Sequence, residues 1–172
     1  YRINSDLVFG GNKLHLAVAS DPMGATLKKD YPQVEEYVRF FDPMNVKRIK
    51  KGNEYIRETN TVYADSTLFN VFTLPLITGD VVLSESAAKK YFNTTDALGK
   101  SIVTGDGPND LFKVTAVIKN IPHNSHFNFD FIFSMKSVTD YPFGTYLSNN
   151  FQTYIVLSPG TDYRQFNKKL DE

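Results

Sequence analysis

The chain of 172 residues contains no cysteine and no tryptophan. Without cysteine there is no disulfide framework, no thiolate zinc site and no cysteine nucleophile. A chain this long can bury about 70% of its unfolded surface, so a stable core needs no such staples. The absence leaves the redox compartment open. Excess charge is missing too, because Lys+Arg and Asp+Glu number 19 each. That balance lacks the electrostatic footprint of a nucleic-acid binder, and no nucleic-acid partner is expected. The most basic stretch, KRIKK at 47–51, reads as a solvated hairpin arm turning at Gly52-Asn53, not as a phosphate site. No apolar run approaches the roughly 18–20 residues that cross a bilayer, and no charged-then-apolar leader opens the chain. Neither GxxxxGK[ST] nor GxGxxG occurs, so no ATP or dinucleotide site is expected within it. The chain opens on YRINSDL and closes on FNKKLDE, both within apparent structure. We read it as a piece of a longer protein, with any membrane anchor in the flanks.

What is present is aromatic. Fourteen Phe and ten Tyr bias the chain toward strands. YRINSDLVF alternates Tyr1, Ile3, Ser5, Leu7 and Phe9 on one face, and Gly10-Gly11-Asn12 turns it into LHLAVAS as a hairpin. A helix should follow, capped by Asp21, with Pro22 at its first helical position and Met23, Leu27 and Tyr31 on one face. Lys28 and Lys29 suit its C-terminal end, and Pro32 stops it. VEEYVRFF reads as a strand, residues 45–65 as a second hairpin, and STLFNVF as a short helix opened by Asp65 or Ser66. SIVTG and LFKVTAVIKN read as strands flanking the turn DGPND, with Phe112, Val114, Ala116 and Ile118 on one face. HFNFDFIFSM shows the clearest alternation, placing Phe127, Phe129, Phe131 and Phe133 on one core-facing side. FQTYIVLS is a further strand, and TDYRQFNKKL a helix capped at Thr161 or Asp162.

Three features invite a chemical reading. In VVLSESAAKKYF, Ser84 follows an apolar run and precedes a helix. A nucleophile elbow needs glycine two residues to either side, where this chain has Val82 and Ser86. A cap fits better, with Glu85 at the positive end of the helix and Lys89 and Lys90 toward the negative end. The histidines are His15, His123 and His126. HNSH resembles an i, i+3 ligand pair but lies in a loop after Pro122, and nothing brings a third ligand such as Asp130 to it. DGPND has too few carboxylates for an EF-hand loop. No catalytic, cofactor-binding or metal-binding residue is assigned.

FTLPLITGD, VVLSESAAKKYF, ALGKSI and FKVTAVIKNIPHNSHFNFDFIFSM, taken in order, resemble the MacB-type periplasmic core domain of ABC-transporter permeases with FtsX-like membrane segments. The phrase from Asp65 to Phe69 and the helix after Ser84 carry much of the likeness, which spans nearly the whole chain. The connection from Asp80 to Val81 is shorter than this family usually has. The resemblance implies an α+β, two-lobed domain outside the bacterial cytoplasmic membrane, inserted between two transmembrane helices. Residues 1–65 and 123–172 would form a porter-like lobe of β-α-β units, with 66–122 inserted as a small β-rich, Sabre-like lobe. It also implies a non-enzymatic role in which a cytoplasmic ATPase drives export or envelope work through the membrane segments. The implied partners are a second permease subunit, the ATPase and a periplasmic adaptor. A two-lobed extracytoplasmic ligand-binding protein is the alternative, and a hydrolase using Ser84 or the HNSH loop is a distant third.

Overall fold

The computed structural model describes residues 1–42, 47–72, 81–105, 111–138 and 141–170. An exposed antiparallel hairpin opens the chain, β1 (Ser5–Phe9) with β2 (Asn12–Leu16), in the register Leu7 opposite Leu14. Helix α1 (Met23–Asp30) and strand β3 (Val34–Phe41) follow. The second hairpin is confined to β4 (Lys47–Lys51) and β5 (Glu54–Glu58), turning at Gly52 with φ of 60° as a tight turn requires. Thr61–Ala64 does not belong to that hairpin; it is a separate buried strand, β6.

The remaining elements among the described residues are α2 (Leu68–Val71), β7 (Val81–Ser84), α3 (Glu85–Phe92), β8 (Ser101–Val103), β9 (Leu111–Ile118), β10 (Phe131–Ser134), a 3-10 turn (Met135–Ser137), β11 (Phe151–Leu157) and α4 (Tyr163–Leu170). Seven strands form one mixed sheet in the order β11-β3-β6-β10-β7-β9-β8. The β6–β10 and β7–β9 pairs are parallel and the others antiparallel. The architecture is therefore α+β, as the sequence implied.

Both faces of the sheet are covered. One core joins Leu83, Phe131, Phe133 and Phe151 to Ala87 and Ala88 of α3. On the other face Val38, Phe40, Val62 and Ile132 pack under Leu68 of α2. Helices α1 and α4 bring Leu27 and Phe166 onto Val34 and Ile155, with Met23 and Tyr31 against the same cluster.

Two face assignments are corrected. Strand β10 begins only at Phe131, so the four phenylalanines do not share a side. Phe131 and Phe133 enter one core, while Phe127 and Phe129, in irregular chain, fold under the opposite face around Phe40. In β9 the pairing to β7 slips between Val81 and Val82, leaving Thr115 as an extra residue. Such a bulge reverses the alternation beyond it. Phe112 and Val114 therefore face one core, Ala116 and Ile118 the other.

Helix starts also differ from expectation. Neither Asp21 nor Asp65 caps a helix; the N-cap positions are Pro22 and Thr67, without side-chain caps. Both carboxylates bind Arg39 instead. Asp162 does cap α4, accepting from Arg164 N at 2.8 Å and Gln165 N at 3.3 Å. The expected DGPND turn, residues 106–110, lies outside the described residues, as do 73–80 with Asp80.

Candidate functional site

Ser84 ends β7 and begins α3, as a strand-to-helix nucleophile would, but it is only 2% exposed and already engaged. Its Oγ accepts from Ala87 N at 3.0 Å and donates to Asp130 Oδ1 at 2.5 Å. Asn60 Nδ2 holds the other oxygen of Asp130 at 3.0 Å. Lys89 and Lys90 occupy the last turn, and Asn93 closes the helix in the left-handed region with φ of 57°. The hydroxyl is a cap that also pins β10 to β7. Removing it leaves a helix N–H and a carboxylate oxygen short of a partner. We expect Ser84→Ala to lower stability by about 1–2 kcal/mol in a denaturant titration.

His123 and His126 both lie in exposed chain, where Ser125 N donates to Pro122 O at 2.9 Å. Asp130, the candidate third ligand, has both oxygens taken by Ser84 and Asn60. Among the described residues no group of three or more His, Asp or Glu is placed to hold a metal ion. His15 Nδ1 sits 2.7 Å from Asp6 Oδ1 across the first hairpin, in solvent. Such an exposed pair contributes little.

The concentrated polar chemistry lies elsewhere, at Arg39. Its Nε and Nη2 each donate to Asp65 at 2.8 Å, and its backbone N donates to the same carboxylate at 2.9 Å. Its Nη1 donates to the carboxylate and, at 3.3 Å, to the backbone oxygen of Asp21. The guanidinium also lies 5.5 Å from the centre of the Phe151 ring. All three side chains are largely buried, at 17%, 4% and 14% exposure for Arg39, Asp21 and Asp65. Burial alone would lower the Arg39 pKa, but the hydrogen bond and charge of Asp65 and the charge of Asp21 raise it above the usual value. One cation thus holds two carboxylates, joining β3 to the chain before α1 and the chain before α2. The sequence offered no signal for this node, because alternation alone marks Arg39 as one more strand residue.

A second polar contact ties α3 to the β4–β5 hairpin. Tyr91 Oη donates to Glu58 Oε1 at 2.5 Å, and Lys90 Nζ reaches the same oxygen at 2.6 Å. Burial, then the hydrogen bond and charge of Glu58, raise the Tyr91 pKa above its usual 10.0. A raised phenol favours the fold while protonated, so that contribution is present below about pH 10 and declines as pH climbs toward the folded value. Tyr91→Phe should therefore cost about 1 kcal/mol at neutral pH. Denaturant midpoints taken across pH 8–11.5 should show the wild-type advantage shrinking above pH 10; a constant gap would refute this role.

The profile of the MacB-like periplasmic core domain family matches residues 4–172. Among solved structures, a domain assigned to a permease of Porphyromonas gingivalis superposes with a TM-score of 0.74 at 19% identity, covering 91% of this chain and 76% of that one. The periplasmic region of MacB from Actinobacillus actinomycetemcomitans gives 0.64 at 17% identity, covering 89% and 72%. The extracellular domain of the noncanonic ABC-type transporter YknZ from Gram-positive bacteria gives 0.57 at 14%, covering 88% and 78%. At these identities the likeness is one of fold. A search of curated proteins returns no match.

Proposed function

Because this chain belongs to the MacB-like periplasmic core domain family, we propose that it is the extracytoplasmic part of an ABC-transporter permease that turns cytoplasmic ATP hydrolysis into movement outside the membrane. The family match over residues 4–172 carries the reading. In this role the domain performs no catalysis. Its partners would be a second permease copy, an ATPase reached through membrane helices, and a periplasmic adaptor. Export of a peptide or drug, lipoprotein extraction and activation of an envelope enzyme are all compatible outputs. The residues of this chain supply a stiff body whose position the membrane helices set.

The sheet order supports the division into 1–65 with 123–172 and an inserted 66–122. Strands β11, β3, β6 and β10 of the first span are contiguous, and β7, β9 and β8 of the second follow them. The two sets meet at the three residue pairs of β10 with β7, and further ties cross the seam: Ile49 of the second hairpin bridges to Thr104, Tyr91 and Lys90 bond Glu58, and Leu68 of α2 packs with Val38 and Phe40 of β3. Phe131 and Phe133 share a core with Val81 and Leu83 across that seam. These ties and the shared core favour movement of the domain as one body.

Reporter fusions in the parent protein, placed just before Tyr1, after Glu172 and within 104–110, test the placement. All three should report an extracytoplasmic location, with membrane helices bracketing the domain. A cytoplasmic signal would overturn the reading. A soluble parent with measurable affinity for a small ligand would favour the two-lobed binding protein instead.

A further inference from the structure

We propose that the segment 141–150 is a strap latched to helix α1 through Asp21, so that strap and helix open together when that carboxylate lets go. The strap, YPFGTYLSNN, has no regular secondary structure and no charged residue. Its internal ties are local: Tyr141 Oη lies 3.0 Å from Ser148 Oγ, Phe143 N donates to Tyr141 O at 2.9 Å, and Leu147 N donates to Thr145 Oγ1 at 3.1 Å. Two polar bonds carry it outward, and both end at the same place. Gly144 N donates to Asp21 Oδ2, one residue before Pro22, the N-cap of α1, and Tyr146 Oη meets Thr26 Oγ1 within α1 at 2.5 Å. Gly144 reaches Asp21 with φ of 93°, a conformation open to glycine.

The remaining hold is apolar. Tyr141 and Phe143 lie over Phe151, and Tyr141 packs on Phe41 at 4.7 Å between ring centres. The outer side of the strap is apolar as well, with Phe143 at 40%, Tyr146 at 55% and Leu147 at 96% exposure. Asp21 is the shared joint. Oδ2 holds the strap, Oδ1 and the backbone oxygen hold Arg39, and the residue itself leads into α1. Asp65 already takes both Nε and Nη2 of Arg39, so the guanidinium stays paired when Asp21 leaves.

Two buried hydroxyls neighbour the joint in sequence and in register. Ser20 Oγ and Thr153 Oγ1 are buried without a hydrogen-bond partner. Ser20 adjoins Asp21, and Thr153 is opposite Arg39 in the β11–β3 register. Buried hydroxyls left unpaired are costly, and an arrangement that used them would offset part of the loss on release.

Hydrogen exchange of the full chain, resolved by peptide, tests the latch and stands on contacts within this chain, whatever the parent protein does. Asp21→Asn keeps the shape but offers one acceptor where two are used. Exchange in 141–150 and the first turn of α1 should rise about tenfold, with 111–118 and 131–134 unchanged. An unchanged strap, or equal acceleration throughout the sheet, would overturn the proposal. Should Asp21→Asn fail to fold, Tyr146→Phe removes the second tie at an exposed position. It should quicken exchange in 141–150 alone by about threefold, and an unaltered strap would again overturn it.

Discussion

Arg39→Met should lower the unfolding free energy by about 3–5 kcal/mol, a loss on the scale seen when one partner of a buried ion pair is removed. The methionine fills the space of the arginine stem, so the expected loss comes from charge and not from a cavity. It strands two carboxylates, Asp21 at 4% and Asp65 at 14% exposure, that each draw on the guanidinium. Combining Arg39→Met with Asp21→Asn and Asp65→Asn should recover much of the loss, because neutral amides carry no uncompensated charge. Urea titrations of the single and triple variants measure this. A single variant within about 1 kcal/mol of wild type would mean that solvent already screens the node.

How far this chain could be read in advance depended on the range of the interaction involved. Local signals translated well. Gly52-Asn53 turned the second hairpin, Ser84 capped α3, Asp162 capped α4, and β3 and β11 lay where their alternation placed them. Signals that depend on distant partners did not. Asp21 and Asp65 stand at good capping positions, yet Arg39 offers a buried, charge-assisted hydrogen bond that outweighs a cap. The alternation at 127–133 continues through Asp130, but only the part from Phe131 onward pairs with β6 and β7. The bulge at Thr115 leaves no mark in the letters, because residues on both sides of β9 are apolar. The Arg39 node was invisible for the same reason, being assembled from residues 21, 39 and 65.

Phe40→Ala carries the second large effect, expected at about 3–5 kcal/mol. Phe40 is 1% exposed, and the rings of Phe72, Phe127, Phe129 and Tyr154 surround it with centres at 5.3–6.0 Å. Irregular chain supplies three of these rings, Phe72, Phe127 and Phe129, so part of the cavity should collapse, and the cost is read against neighbours. Phe127→Ala, at a partly buried position, should cost less than half as much, whereas Phe133→Ala should match Phe40→Ala because Phe133 is 1% exposed in the opposite core. Equal losses at 127 and 133 would restore the single-faced ladder that the fold contradicts. The physical consequence is a sheet held by aromatic packing on both of its faces.

Whether ATP moves this body is the most direct question. The chain has no cysteine of its own, so a cysteine introduced at Leu98, 64% exposed in the turn before β8, can carry a spin label without competition from the domain. Under the proposed function, label-to-label distances between two copies would be measured in the parent protein assembled with an ATPase partner, nucleotide-free and trapped with ATP. Coupling predicts that the ATP-trapped distribution separates from the nucleotide-free one. Superimposable distributions in an assembly that still hydrolyses ATP would contradict it.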